Sequence, residues 1–160
     1  QYGYDAKDRL TVITDTLGNA TVYTYDANDN RTSVTDANGN TTTFTYDPLN
    51  RLASMQDALG NTTTYQYDAN GNRVQVTDAK GQVTTYTYDA LNRLVGVTYA
   101  DGYTVTYTYD AAGNRLTMTD PTGTTQYAYD ALNRSTVITD TTGLALRYTY
   151  DAVGNRAMLT

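Results

Sequence analysis

The sequence contains no cysteine, histidine, tryptophan or glutamate, and only two prolines. Without cysteine or histidine, the chain cannot form disulfides, cysteine- or histidine-ligated zinc sites, thiolate nucleophiles or a Ser-His-Asp triad. All 17 acidic residues are aspartate and there are 11 basic residues, so the formal net charge is −6. An acidic chain lacks the basic surface that dominates nucleic-acid affinity, and we expect no nucleic-acid partner.

Long apolar runs are missing as well. No stretch approaches the length of about 18 apolar residues that a membrane-spanning helix needs, and no signal-peptide pattern opens the chain, so we predict no membrane insertion. The sequence is instead rich in two strand-forming residues, with 33 threonines and 17 tyrosines. This composition favours β structure.

The dipeptide Tyr-Asp recurs eight times. The spacing is 21 residues, except for 20 residues between Tyr109 and Tyr129. Seven full units span residues 4–151 with a partial unit at each end, so we interpret residues 1–160 as a single repeat array. The Tyr-Asp dipeptides and the arginine that follows each of them form the candidate structural motif: Tyr4, Asp5 and Arg9; Tyr25, Asp26 and Arg31; Tyr46, Asp47 and Arg51; Tyr67, Asp68 and Arg73; Tyr88, Asp89 and Arg93; Tyr109, Asp110 and Arg115; Tyr129, Asp130 and Arg134; Tyr150, Asp151 and Arg156.

Each unit carries two turn signals. The first directly follows Tyr-Asp, as in residues 68–72, and the second lies about eleven residues after the tyrosine, as in residues 36–40. Asp and Asn side chains bond to nearby backbone groups in turns, and Gly accepts a positive φ. The runs between the turns, such as residues 21–25 and 74–77, are typical of strands. The predicted fold is therefore all-β, an array of antiparallel β-hairpins that forms a twisted, curved ribbon without helices.

Two irregularities modify this pattern. The arginine lies five residues after the tyrosine in one set of units and six in the other, and the two sets alternate. We interpret this as alternation between a shorter and a longer first loop, with a structural period of 42 residues. The missing residue lies between Gly123 and Tyr129. A one-residue slip in register would move the side chains of that strand to the opposite face of the sheet, so we predict a bulge or a shortened turn there.

Residues two apart in a strand share a face, so the spacing predicts one face that carries two aromatic residues per unit. Tyr23 and Tyr25, or Phe44 and Tyr46, are such pairs. The partner strand carries an apolar residue two positions before the second turn: Ile13, Val34, Met55, Val76, Val97, Met118 and Ile138. Cross-strand aromatic and aliphatic pairs of this kind stabilise sheets.

Segments such as residues 81–94 and 109–116 closely resemble the YD repeat of bacterial Rhs proteins, which also occurs in insecticidal Tc toxins, wall-associated polymorphic toxins and animal teneurins. The likeness covers essentially the whole chain. It implies a ribbon of hairpins that winds into a hollow shell, which encloses a C-terminal effector in the toxin members. The partners it implies are flanking YD repeats and an encapsulated toxin polypeptide, in a larger secreted or cell-surface bacterial protein. The sequence departs from the repeat at three places: Tyr99 replaces aspartate, Ser135 replaces an apolar residue, and residues 144–147 replace the usual threonine run.

A structural role is the leading hypothesis, and we expect neither an enzyme nor a cofactor. Tyrosine and aspartate can act in acid–base catalysis, but a catalytic site is singular and this pair recurs eight times. We interpret Asp120-Pro121-Thr122-Gly123, which resembles the autoproteolytic Asp-Pro-X-Gly of the toxin members, as an ordinary second turn. Other hypotheses stay open: Arg–Asp pairs as a ladder or as anion sites, calcium at Asn-rich loops such as residues 26–30, carbohydrate stacking on tyrosines, and an adhesive or self-assembling filament.

Overall fold

The computed structural model describes residues 1–159, and these residues form strands and turns without any helix. Sixteen strands follow one another: β1 (Tyr2–Tyr4), β2 (Leu10–Thr14), β3 (Ala20–Tyr25), β4 (Arg31–Thr35), β5 (Thr41–Tyr46), β6 (Leu52–Gln56), β7 (Thr62–Tyr67), β8 (Arg73–Thr77), β9 (Val83–Tyr88), β10 (Leu94–Thr98), β11 (Thr104–Tyr109), β12 (Arg115–Asp120), β13 (Gly123–Tyr129), β14 (Ser135–Thr139), β15 (Ala145–Tyr150) and β16 (Arg156–Leu159). In the described part of the chain, no helix is long and apolar enough to cross a membrane.

The chain divides into two compact units, Gln1–Val83 and Thr84–Thr160. In the first unit, consecutive strands from β1 to β8 pair antiparallel with one another. In the second unit, the strands from β9 to β16 do the same. The predicted all-β array of antiparallel hairpins is confirmed.

The first turns all have the same length, so the predicted alternation between shorter and longer loops is wrong. In residues 26–30, the N–H of Asp26 donates to the carbonyl of Asn30, and in residues 47–51 the N–H of Asp47 donates to the carbonyl of Arg51. Both loops contain five residues, and the fourth has a positive φ, at Asp29 and Asn50 respectively. The arginine moves by one position along an unchanged loop, because either arginine or asparagine can close it.

A β-bulge follows every first turn. Tyr25 lies opposite Arg31 while Thr24 lies opposite Ser33, which leaves Thr32 as the extra residue. The same register shift recurs with Thr11, Ala53, Val74, Val95, Leu116, Thr136 and Ala157 as the extra residues. Bulges interrupt the ladder and increase the local strand twist. The sequence pattern did not predict them.

The array is shortened in the turn between β12 and β13; a shortened turn was predicted, but its predicted place between Gly123 and Tyr129 is wrong, since it lies just before Gly123. Asp120 pairs with Gly123 in the ladder, so only Pro121 and Thr122 connect the two strands. Gly123 has φ 135°, which favours glycine. Because the deletion is confined to the turn, β13 keeps its face, and Tyr127 lies opposite Ile138.

The two faces of the strands differ in composition. On β3, Tyr23 and Tyr25 are half-buried, whereas Val22 and Thr24 on the other face are exposed. The predicted cross-strand pairs are formed on the aromatic face, as between Tyr23 and Val34. The other face carries hydroxyl contacts: the oxygens of Thr45 and Ser54, for example, lie 2.6 Å apart. Among the hydrophobic residues described, only Val97 and Val105 are buried, with 5% and 9% of their surface exposed, so most apolar contact is partial.

Candidate functional site: the Tyr-Asp turn

The aspartate of each motif caps its own five-residue turn. In residues 26–30, Oδ1 of Asp26 accepts the N–H groups of Asn28 and Asn30, each at 2.9 Å, and Oδ2 accepts the side-chain amide of Asn30 at 2.9 Å. The second turns that begin at Asp15, Asp36 and Asp57 use the same arrangement, with Asp36, for example, capped by Asn38 and Asn40. In both turns, each oxygen of the carboxylate accepts hydrogen bonds from groups of its own loop.

The fifth loop residue alternates between two ways of closing on Oδ2. Arginine closes the turns that begin at Asp5, Asp47, Asp89 and Asp130, and asparagine closes those that begin at Asp26, Asp68, Asp110 and Asp151. The side-chain amide of Asn30, more than any other group, lowers the pKa of the Asp26 carboxyl. The backbone N–H of Arg51 does the same for the pKa of Asp47, and its guanidinium adds to the effect.

Each arginine that closes a first turn also contacts the following unit. Arg51 donates from Nε to Asp47 at 2.7 Å and from a terminal nitrogen to the carbonyl of Asp68 at 3.0 Å. Its guanidinium carbon lies 4.6 Å from the ring centre of Tyr67. Arg9 and Arg93 make the corresponding contacts, and Arg134 pairs with Asp130 and lies over Tyr150. The Arg–Asp ladder suggested by the sequence is thus formed by four of the eight motif arginines.

The other four motif arginines lie over aromatic rings. The guanidinium of Arg31 is 5.8 Å from the ring centre of Tyr23 and 5.3 Å from that of Phe44 in the next unit. Arg115 lies in the same way between Tyr107 and Tyr127. Arg73 and Arg156 lie over Tyr65 and Tyr148. Cation–π contacts of this kind contribute about 0.5–1 kcal/mol at exposed sites, and the sequence pattern did not predict them.

The motif tyrosines link successive units through their hydroxyl groups. Tyr25 donates to the carbonyl of Leu10 at 2.7 Å, and Tyr67 donates to that of Leu52 at 3.0 Å. Tyr46, Tyr109, Tyr129 and Tyr150 form the equivalent bonds to Arg31, Leu94, Arg115 and Ser135. A signal was present in the sequence: phenylalanine occurs once at the first aromatic position, as Phe44, and never at the second.

The side chains of the motif are engaged with groups of the protein itself. The tyrosine and the aspartate of one motif bond to different partners, the preceding unit and their own loop. Within residues 1–159, no group of three or more acidic side chains could hold a metal ion, so the calcium hypothesis gains no support. The motif groups connect hairpins to one another.

Comparison with known proteins identifies the repeat. The family model described as RHS Repeat matches residues 4–41, 25–62, 46–83, 67–104 and 88–125. These overlapping matches together cover residues 4–125, well over half of the chain. No curated protein matches the sequence.

Solved structures share the fold. The chain is similar to the crystal structure of TcdB2-TccC3, with a TM-score of 0.77 and 20% identity over 88% of this chain and 9% of the other. It is also similar to a Photorhabdus luminescens Tc holotoxin pore that carries a TccC3 mutation, with a TM-score of 0.58 and 16% identity over 99% of this chain and 13% of the other. The chain therefore spans about a tenth of the length of the structures it matches.

Proposed function

This chain belongs to the RHS Repeat family, and from that membership we propose that it is a structural segment in the wall of a shell that encloses a toxin polypeptide. Its role is containment, and the segment itself carries no catalytic site. The fold shared with TcdB2-TccC3 over 88% of the chain supports this proposal. The parent protein is secreted or displayed at the cell surface, and residues 1–160 act as one array whose partners are flanking repeats and the enclosed polypeptide.

The observation that carries the proposal is that the motif side chains connect one hairpin to the next. Arg51 contacts the carbonyl of Asp68 in the following turn, and Tyr67 contacts the carbonyl of Leu52 in the preceding unit. A wall needs such contacts because a single hairpin is at best marginally stable in water. Repetition then adds one neighbour interface for each unit, as in other repeat proteins.

Protection of the polypeptide that follows the array tests the proposal. The natural polypeptide that contains this segment would be treated with a protease, and the survival of its downstream region would be compared with that of the same region produced alone. We expect the downstream region to resist digestion within the intact protein and to be cleaved after the array is denatured. Equal cleavage rates for the two forms would refute encapsulation.

Electron microscopy of the same polypeptide separates encapsulation from the filament hypothesis. A closed particle is expected for a shell. Fibres that lengthen with protein concentration would contradict the shell and favour a self-assembling array.

A further inference from the structure

One second turn departs from the repeat in side chains but not in backbone. In residues 99–103, the N–H of Tyr99 donates to the carbonyl of Tyr103 at 2.8 Å, and the N–H of Gly102 donates to the carbonyl of Tyr99 at 2.9 Å. The same backbone bonds close residues 36–40, which begin with Asp36. Asp101 supplies a cap by accepting the N–H of Tyr103 at 2.9 Å. The turn therefore does not need an aromatic residue at either end.

The two tyrosines form an exposed aromatic pair. Their ring centres lie 5.8 Å apart with an angle of 66° between the ring planes. Tyr99 is 43% exposed and Tyr103 is 37% exposed. In the described chain, no guanidinium lies over either ring, whereas Arg115 lies over Tyr107 and Tyr127 on the same face of neighbouring strands.

Two carboxylates place negative charge next to the Tyr99–Tyr103 pair. Asp101 lies within the turn, and Asp120 lies beside Tyr103 at the start of the shortened turn. Partial burial of Tyr103 raises the pKa of its hydroxyl, and the neighbouring Asp120, Tyr99 and Asp101 raise it further. The face of an aromatic ring also carries negative partial charge, so both the rings and the carboxylates favour a positively charged ligand.

We propose that Tyr99, Tyr103, Asp101 and Asp120 form a binding site for a guanidinium group, supplied by an arginine side chain of a partner polypeptide. The site accepts guanidinium rather than a compact ammonium because a planar, weakly hydrated cation can stack on a tyrosine and donate to a carboxylate at once. The chain already uses this combination internally, where Arg51 bonds to Asp47 and stacks on Tyr67. The site does not depend on encapsulation, since an arginine of any partner would fit it.

A titration with a small arginine derivative tests the site. The ¹⁵N-labelled chain would be titrated with Nα-acetyl-arginine methylamide and with the corresponding citrulline compound, which is uncharged but has nearly the same shape. We expect saturable shifts of the Gly102 and Tyr103 amide signals with the arginine compound, and about tenfold weaker binding of the citrulline compound. No shift at these amides, or equal binding of both compounds, would overturn the proposal.

A variant that gives this turn the usual residues of the repeat tests whether the arginine compound binds by stacking on the rings or only by attraction to an acidic protein. The double substitution Tyr99→Asp and Tyr103→Asn gives this turn the residue types that close residues 36–40, so it should fold. It also adds a negative charge, which by itself would strengthen cation binding. We expect about tenfold weaker binding from the loss of both rings; unchanged or tighter binding would refute the site.

A matched charge removal tests the carboxylates. Asp101→Asn should weaken arginine binding several-fold, whereas Asp78→Asn, in another second turn, removes the same charge and should leave it unchanged. Equal effects of the two substitutions would show that only the net charge matters, and would refute a local site.

Discussion

The hydroxyl of Tyr67 donates a 3.0 Å hydrogen bond to the carbonyl oxygen of Leu52, the residue that directly precedes the bulged Ala53. A bulge disrupts the hydrogen-bond ladder locally, and the tyrosine supplies a donor from the next unit at that place. This relationship explains why the motif contains tyrosine rather than another aromatic residue.

Removing this hydroxyl should destabilise the protein. We expect Tyr67→Phe to lower the free energy of unfolding by about 1 kcal/mol, the usual contribution of an intramolecular hydrogen bond. Tyr65→Phe is the matched control, because Phe44 occupies the equivalent position in another unit, and it should have little effect. Urea unfolding would measure both, and equal losses would contradict the role given to the Tyr67 hydroxyl.

Lysine should not replace, without loss of stability, an arginine that closes a first turn and contacts the following unit. Arg51→Lys keeps the charge but loses the planar group that bonds to Asp47 and Asp68 and stacks on Tyr67. We expect the melting temperature to fall by about 2–4 °C, the shift for a loss of roughly 1 kcal/mol in a chain of this length. The same substitution at the exposed Arg147 should change it by much less. Similar shifts at the two positions would rule out a bridging role for Arg51.

Replacing Ser135 with alanine should not lower the stability of the protein. Its hydroxyl oxygen is buried and has no hydrogen-bond partner within the described structure. Ser135→Ala should leave the free energy of unfolding unchanged or raise it by up to about 1 kcal/mol, because an unsatisfied buried polar group is removed. Ser54→Ala, which removes a hydroxyl 2.6 Å from that of Thr45, should lower stability instead. A clear loss of stability from Ser135→Ala would be inconsistent with an unpaired hydroxyl.

Stability should fall on acidification. Hydrogen bonds from the loops lower the pKa of the capping carboxyls, including Asp26 and Asp47, from the ordinary value of 3.8. In acid, the unfolded chain therefore binds more protons than the folded chain. The stabilisation from the ionised caps is fully present above about pH 5 and is lost as the pH falls through the folded-state pKa values.

Thermal unfolding between pH 7 and pH 2 would measure this dependence. Asp26→Asn keeps a capping oxygen but cannot be protonated, so it should reduce the fall in melting temperature on acidification. Melting temperatures that rise on acidification, or an Asp26 carboxyl that titrates above its ordinary range by NMR, would contradict the expectation.

The parts of the structure that depend on nearby residues were predictable from the sequence. The hairpins and the aromatic face follow from period-two alternation and turn chemistry. A shortened turn was also expected, but between Gly123 and Tyr129 rather than at residues 120–123, where it lies. Tyr23 lies opposite Val34 and Phe44 opposite Met55, as expected. The prediction of unequal loops was wrong because it assumed that arginine keeps one place in the loop, whereas Arg51 and Asn30 occupy the same position.

By itself, the sequence determined the strand order, the face that each tyrosine takes and the places where the chain turns, because these depend on residues within about ten positions of one another. Only the tertiary structure decided which tyrosine hydroxyl meets which carbonyl and which ring of the following unit lies under Arg31 or Arg51. Those partners lie 13 to 16 positions away along the chain. They meet only after the intervening hairpin has formed and its bulge has fixed the strand twist, which no local pattern specifies.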